Sequence, residues 1–226
     1  MKDIILLHGA LGSVSSLNGV KSALEGRFNC HSLNLSGHGQ TAFNPSGFGI
    51  ERFAEELAEF IEEHKLVRPH IFGFSMGGYV ALYLASQNPD LLGKIITLGT
   101  KFAWTRESAA HETSRMIPEV MEKKIPAYTD KLERIHGLQW KSLVSKTASM
   151  MKGLGEKPLL NKERLEVIEN EVLILRGSVD GMVSEEESLW ASTNLEKGKF
   201  ETLTDQPHPI EKVDLSILTK TMINFL

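Results

Sequence analysis

Cysteine is nearly missing: the 226 residues contain one, Cys30, so no internal disulfide can form and a reducing compartment suits the chain. Cys30 lies in the strand-like run Asn29-Cys30-His31-Ser32-Leu33-Asn34-Leu35, where core filling is its expected role rather than nucleophilic attack. There is no surplus of positive charge. Lys and Arg total 25 against 29 Asp and Glu, a net charge of −4, which leaves no electrostatic footprint for nucleic acid or an anionic membrane. Long apolar runs are also lacking. None approaches the roughly 20 residues that span a bilayer, and the four-residue apolar segment after Met1-Lys2-Asp3 is too short for a signal peptide. A soluble, cytoplasmic protein is expected, without membrane or nucleic-acid partners. No Cys/His or carboxylate cluster has metal-ligand spacing. Gly37-His38-Gly39 lacks the lysine and helix start of a phosphate loop, so neither metal nor cofactor is expected. Internal repeats, low-complexity tracts and flexible linkers are absent too.

What is present is enough apolar material, 41% of residues, for a sizeable core in one domain with an insertion. Ile4-Ile5-Leu6-Leu7 is a continuous apolar run closed by His8-Gly9, as expected of a strand buried on both faces of a parallel sheet. A helical pattern follows over 13–26, then a strand over 29–35, then a surface loop rich in Ser, Gly and Pro. Residues 50–65 place Ile50, Phe53, Ala54, Leu57, Phe60 and Ile61 at helical spacing, with glutamates on the remaining faces as a solvated surface. A strand ending at Phe74, a helix to Gln87 and a strand over 94–99 come next. This alternation predicts a parallel α/β sheet with right-handed crossovers. The rhythm breaks over 101–170, where helical patterns cover 106–117, 119–125, 127–136 and 138–154. It resumes with a strand over 171–177, a helix over 184–194, a short strand over 199–203 and a closing helix. The division expected is a core of residues 1–100 and 171–226, with 101–170 forming a helical cap.

The third strand runs into Gly73-Phe74-Ser75-Met76-Gly77. By composition alone such a Gly-x-Ser-x-Gly string arises in roughly one chain in ten of this length. Its position between strand and helix is the context a nucleophile elbow requires: a sharp turn that presents the serine hydroxyl, followed by an N–H aimed at a bound carbonyl. Ligands of open parallel sheets bind outside the carboxyl ends of the strands. Four polar features fall in such loops: His8-Gly9-Ala10, Ser75, Asp180 and His208. A serine needs an imidazole to take its proton, and the imidazole needs a carboxylate to hold its tautomer. Asp205, three residues before His208, competes with Asp180 for that last role. Of the seven further histidines, His8 and His38 sit in loops near the site, and His31, His64, His70, His111 and His136 lack a motif.

Taken together, Leu6-Leu7-His8-Gly9, Ser36-Gly37-His38-Gly39, Gly73-Phe74-Ser75-Met76-Gly77-Gly78, Gly177-Ser178-Val179-Asp180 and Pro207-His208-Pro209-Ile210-Glu211 resemble the α/β-hydrolase superfamily over nearly the whole chain outside the cap. The resemblance implies Ser75 as nucleophile, His208 as general base and then acid, and Asp180 as its orienting carboxylate. It also implies an oxyanion hole from the backbone N–H groups of Ala10 and Met76, and it makes His8 and His38 supports for their loops. Two strands that usually precede the His-Gly strand in this superfamily are not in the sequence, so six strands are expected. Two smaller departures are Asn34 and Ser36 where Asp is common, and Pro207 where glycine usually precedes the histidine.

A serine hydrolase acting on a small or medium, largely apolar carboxylic ester or thioester is the expected function. Serine at the elbow argues against the dehalogenase and epoxide hydrolase chemistries of this superfamily, which use aspartate there. Candidate pocket residues are Phe102, Trp104, Met116, Trp140 and Met182, with Met121, Tyr128, Met150 and Met151 as further apolar cap residues. The alternative is a ligand sensor that keeps the triad, turns over slowly and engages a protein partner.

Overall fold

The computed structural model describes every residue, Met1–Leu226. Six strands form one sheet: β1 (Lys2–Leu7), β2 (Phe28–Ser32), β3 (His70–Phe74), β4 (Ile95–Leu98), β5 (Val172–Gly177) and β6 (Gly198–Leu203). All five pairings are parallel, in the order β2-β1-β3-β4-β5-β6. The apolar runs are continuous because both faces are covered. Ile5 and Leu7 join the core formed with α2 (Ile50–Glu63) and α3 (Met76–Gln87), through Phe53, Leu57 and Val80. Ile4 and Leu6 point the other way, to Val20 and Leu24 of α1 (Asn18–Leu24) and to Leu218 and Met222 of α10 (Leu215–Phe225). Each such fully buried aliphatic side chain contributes about 1.5–3 kcal/mol relative to exposure.

Strand order also locates the crevice. From β1 the chain steps to β2 on one side, then β3 pairs with β1 on the other. The loops after β1 and β3 therefore diverge, and the opening between them is where ligands of such sheets bind.

Departures from the sequence reading have local causes. The helix expected over 13–26 is split into a 3₁₀ turn, Val14–Leu17, and α1. Strand β2 stops at Ser32 rather than Leu35. Beyond it, side chains replace the ladder: the Leu35 N–H donates to His8 Nε2 (3.2 Å), and Asn34 Oδ1 accepts from the Val14 N–H (2.8 Å). The 106–117 pattern breaks at Thr113. Its hydroxyl donates to the Ala109 carbonyl (2.8 Å), and the Met116 N–H closes a turn onto Thr113 (3.0 Å) before Pro118 starts the next helix.

Between β4 and β5 lie five helices: α4 (Arg106–Thr113), α5 (Pro118–Lys124), α6 (Pro126–His136), α7 (Trp140–Glu156) and the short α8 (Lys162–Glu166), the last not read from the sequence. The insertion is tied down at both ends. Glu187, at the start of α9 (Glu185–Thr193), is buried and accepts N–H bonds from Phe102 (2.8 Å) and Ala103 (2.7 Å). The buried Tyr79 hydroxyl accepts from Leu159 (3.1 Å) and Leu160 (2.9 Å). None of the helices is long and apolar enough to cross a membrane.

Gly77 fills a position with no room for a side chain, because a Cβ there would overlap the Leu7 carbonyl of β1. Overpacking against rigid backbone costs typically 1–3 kcal/mol or more. Gly77→Ala is therefore expected to lower the unfolding free energy by about 3 kcal/mol, read as a lower urea midpoint at unchanged slope. An unchanged midpoint contradicts the close approach of α3 to β1.

Candidate active site

Ser75 sits between β3 and α3 at φ 50° and ψ −115°, backbone that a non-glycine residue rarely adopts and that costs of order 1–3 kcal/mol. The surroundings over-determine it. The Ser75 N–H donates to Leu98 of β4 (2.8 Å), and its carbonyl accepts from the Gly78 and Tyr79 N–H groups and from the Thr100 hydroxyl (2.9 Å). The Ser75 hydroxyl itself makes no hydrogen bond within the protein.

The loops after β5 and β6 carry Asp180 and His208, and they are stitched together by backbone. The Ser178 N–H donates to Leu203 (2.8 Å) and the Val179 N–H to Gln206 (3.2 Å), while the Asp205 N–H donates to Ser178 Oγ (2.7 Å). His208 Nδ1 lies 2.8 Å from Asp180 Oδ2, and Asp180 Oδ1 accepts from the N–H groups of Met182 (2.8 Å) and Val183 (3.1 Å). Burial alone would raise the Asp180 pKa. The hydrogen bond and charge of His208, with the two N–H donors, outweigh it and hold the carboxyl below its ordinary value. An ionised carboxylate can only accept, so the proton of neutral His208 is on Nδ1 and Nε2 is left with its lone pair. Asp205 is exposed and its carboxylate makes no bond to His208.

Ser75 and His208 line one cavity of about 750 Å³. Its floor includes Gly9, Ala10, Leu11 and Phe74, and its walls come from the insertion: Met116, Met121, Ile125, Tyr128, Leu132, Ile135 and Met151. Met182 and Ile210 close the side next to His208, and Arg115, Lys131, Lys212, Glu112 and Glu211 add charge. The Ala10 N–H has no acceptor in the protein. Met76 is the first residue of α3, where an N–H has no partner within the helix.

Of the aromatic and sulfur residues read as pocket lining, Met116, Met121, Tyr128, Met151 and Met182 face the cavity. Phe102, Trp104, Trp140 and Met150 do not. Phe102 and Trp104 alternate with the more exposed Lys101, Ala103 and Thr105 on extended backbone, and both enter the main core. That alternation was visible in the sequence. Trp140 packs with Met121, Leu132 and Val144 within the insertion, among helices α5, α6 and α7. Leu11, Ile125, Leu132 and Ile135 are lining residues that no motif marked.

Behind the loops, three histidine rings cluster. His8 and His38 are 4.8 Å apart between centroids, and His38 and His136 are 6.0 Å apart. His8 is fully buried, which pushes its pKa down to about 4. In the unfolded chain His8 binds a proton as pH falls below its ordinary 6.5, while the folded state resists until about 4. Stability is therefore lost across that window on acidification. His8 alone is expected to lower the unfolding free energy by about 3 kcal/mol between about pH 7 and pH 4. Burial lowers His38 and His136 in the same direction. Urea titrations at stepped pH read this slope, and a flat profile down to about pH 5 contradicts it.

An open parallel α/β sheet with its serine at the topological switch, and a hydrogen-bonded Asp–His pair on neighbouring strand ends, defines the class of fold and site. Residues 3–126 match the family model for the alpha/beta hydrolase fold. The chain belongs to the α/β-hydrolase fold family. It is 31% identical over 99 residues to a pimeloyl-[acyl-carrier protein] methyl ester esterase of Aeromonas hydrophila, covering 43% of this chain and 37% of the relative. To the protein of that name in Chromobacterium violaceum it is 28% identical over 140 residues, 61% of this chain and 53% of the relative. The match thus spans between about a third and a half of these relatives. The enol-lactonase from Burkholderia xenovorans superposes with a TM-score of 0.81 at 15% identity, covering 99% of this chain and 90% of that structure, a likeness of fold.

Proposed function

We propose that the protein is a serine hydrolase that cleaves a small or medium, largely apolar carboxylic ester or thioester through an acyl-enzyme intermediate. The observation that carries the reading is the Asp180–His208 hydrogen bond at the edge of the cavity that Ser75 also lines. Ser75 Oγ attacks the substrate carbonyl carbon and His208 Nε2 takes its proton. The carbonyl oxygen, now an anion, is held by the N–H groups of Ala10 and Met76, worth about 3–4 kcal/mol per donor. His208 then protonates the departing alcohol or thiol. Water, deprotonated by the same nitrogen, releases the acid and restores Ser75. Asp180 orients the ring throughout.

Residues 101–170 act as the cap, and their aliphatic and Met-rich walls favour an apolar substrate body that varies in shape. The sequence relatives named as methyl ester esterases support a carboxylic ester. The test is fluorophosphonate labelling followed by peptide mapping, with p-nitrophenyl esters of graded chain length and matched thioesters. A single label on Ser75 with steady turnover is expected. Labelling elsewhere, or a label without turnover of any ester or thioester, counts against the reading.

A further inference from the structure

We propose that His136, on the inserted helix α6, is a positioning residue that sets the oxyanion turn. This inference rests on the ester-hydrolase reading above. His136 is 1% exposed, and both ring nitrogens are engaged in opposite senses. Nδ1 accepts from the Gly39 N–H (2.9 Å), so the ring proton is on Nε2, which donates to the Leu11 carbonyl (2.9 Å). One neutral imidazole provides one acceptor and one donor, and here each meets a backbone group of a different core loop.

Leu11 stands next to Ala10, whose N–H is assigned to the oxyanion. Both are central residues of the turn closed by the Gly12 N–H on the Gly9 carbonyl (3.0 Å). Leu11 adopts φ 56°, which side-chain-bearing residues avoid, so the turn has little preference for this shape by itself. Two contacts from the insertion hold it: the His136 bond to the Leu11 carbonyl, and packing of the Leu11 side chain against the cluster of Met121, Leu132, Trp140 and Val144. Three residues on, Gln139 donates to the carbonyls of Gly37 (3.2 Å) and Thr41 (2.8 Å). The α6–α7 junction thereby clamps the loop after β2 and uses it as an anchor for the ring. Loss of the Leu11 bond releases the turn and misplaces the Ala10 N–H. The cost falls on the tetrahedral state, where that donor is needed, rather than on the ground state.

Two amides separate this role from a general structural one. The glutamine amide nitrogen reaches about as far as Nε2, so His136→Gln keeps the donor to Leu11. The shorter asparagine amide reaches only the Nδ1 position, so His136→Asn keeps the Gly39 bond and loses Leu11. Expected for His136→Asn is a kcat about 10- to 100-fold below the parent with KM within about twofold, and weaker binding of an alkylboronic acid in proportion to kcat/KM. Expected for His136→Gln is a kcat within about threefold of the parent. Leu11→Ala, which removes the packing but not the bond, should lower kcat in the same direction and serves if His136→Asn does not fold. Equal losses in both amide variants, or a parental kcat in His136→Asn, overturn the positioning role. Activity that survives Ser75→Ala instead overturns the hydrolase reading beneath it.

Discussion

Ser75→Ala should abolish ester turnover, lowering kcat by about four to six orders of magnitude while leaving the urea midpoint at or slightly above the parental value. The size follows from chemistry: without Oγ there is no acyl-enzyme, and what remains is water attacking a carbonyl still held by two N–H donors. The unchanged fold follows from where the strain resides. The φ of 50° belongs to the backbone and is imposed by bonds to Leu98, Gly78, Tyr79 and Thr100, none of which uses the Ser75 side chain. Fluorophosphonate labelling should disappear with turnover. Activity within about tenfold of the parent would sink the nucleophile assignment.

Asp180→Asn should be nearly as damaging, lowering kcat by about 10⁴-fold through the wrong tautomer of His208. The carboxylate is held from both sides. Met182 and Val183 donate N–H bonds to Oδ1, while Oδ2 faces His208 Nδ1. An asparagine here turns its oxygen to the two N–H donors and its NH₂ to the ring. Nδ1 must then accept, the ring proton moves to Nε2, and the base can no longer take the Ser75 proton. Nitrogen NMR of the ring would see the proton change sides. Asp205→Asn, exposed and apart from His208, should leave kcat within about twofold and serves as the control. If the two variants behave alike, the acid has been misassigned.

The sheet was legible because it is parallel and covered on both faces. Strand segments such as Ile4-Ile5-Leu6-Leu7 and Val172-Leu173-Ile174-Leu175 are continuous apolar runs, each followed by polar and glycine residues of the next loop. The Asp–His pair was legible because the residues bordering each loop are strongly patterned. The insertion was harder. Its helices follow from periodicity, yet which face meets the cavity depends on how they pack on one another, and periodicity treats a buried tryptophan and a pocket tryptophan alike. Trp140 was lost to that ambiguity, and Leu132 and Ile135 were gained from it. His136 left no local signal, because its two partners lie 97 and 125 residues away in the chain.

Tyr79 divides the connection between β4 and β5 into two parts with different obligations. A parallel crossover leaves the carboxyl edge of the sheet and must come back to its amino edge. The return leg begins at Leu159 and Leu160, hung from the Tyr79 hydroxyl, and its Leu165 and Ile168 enter the same core as β1 and β5. Topology fixes that leg. The outward leg, from α4 through α7, has no such duty, and lengthening it costs little loop-closure entropy. Its length and contour are free to follow the shape of the substrate, so one catalytic frame can serve many substrates by exchanging a single stretch of chain.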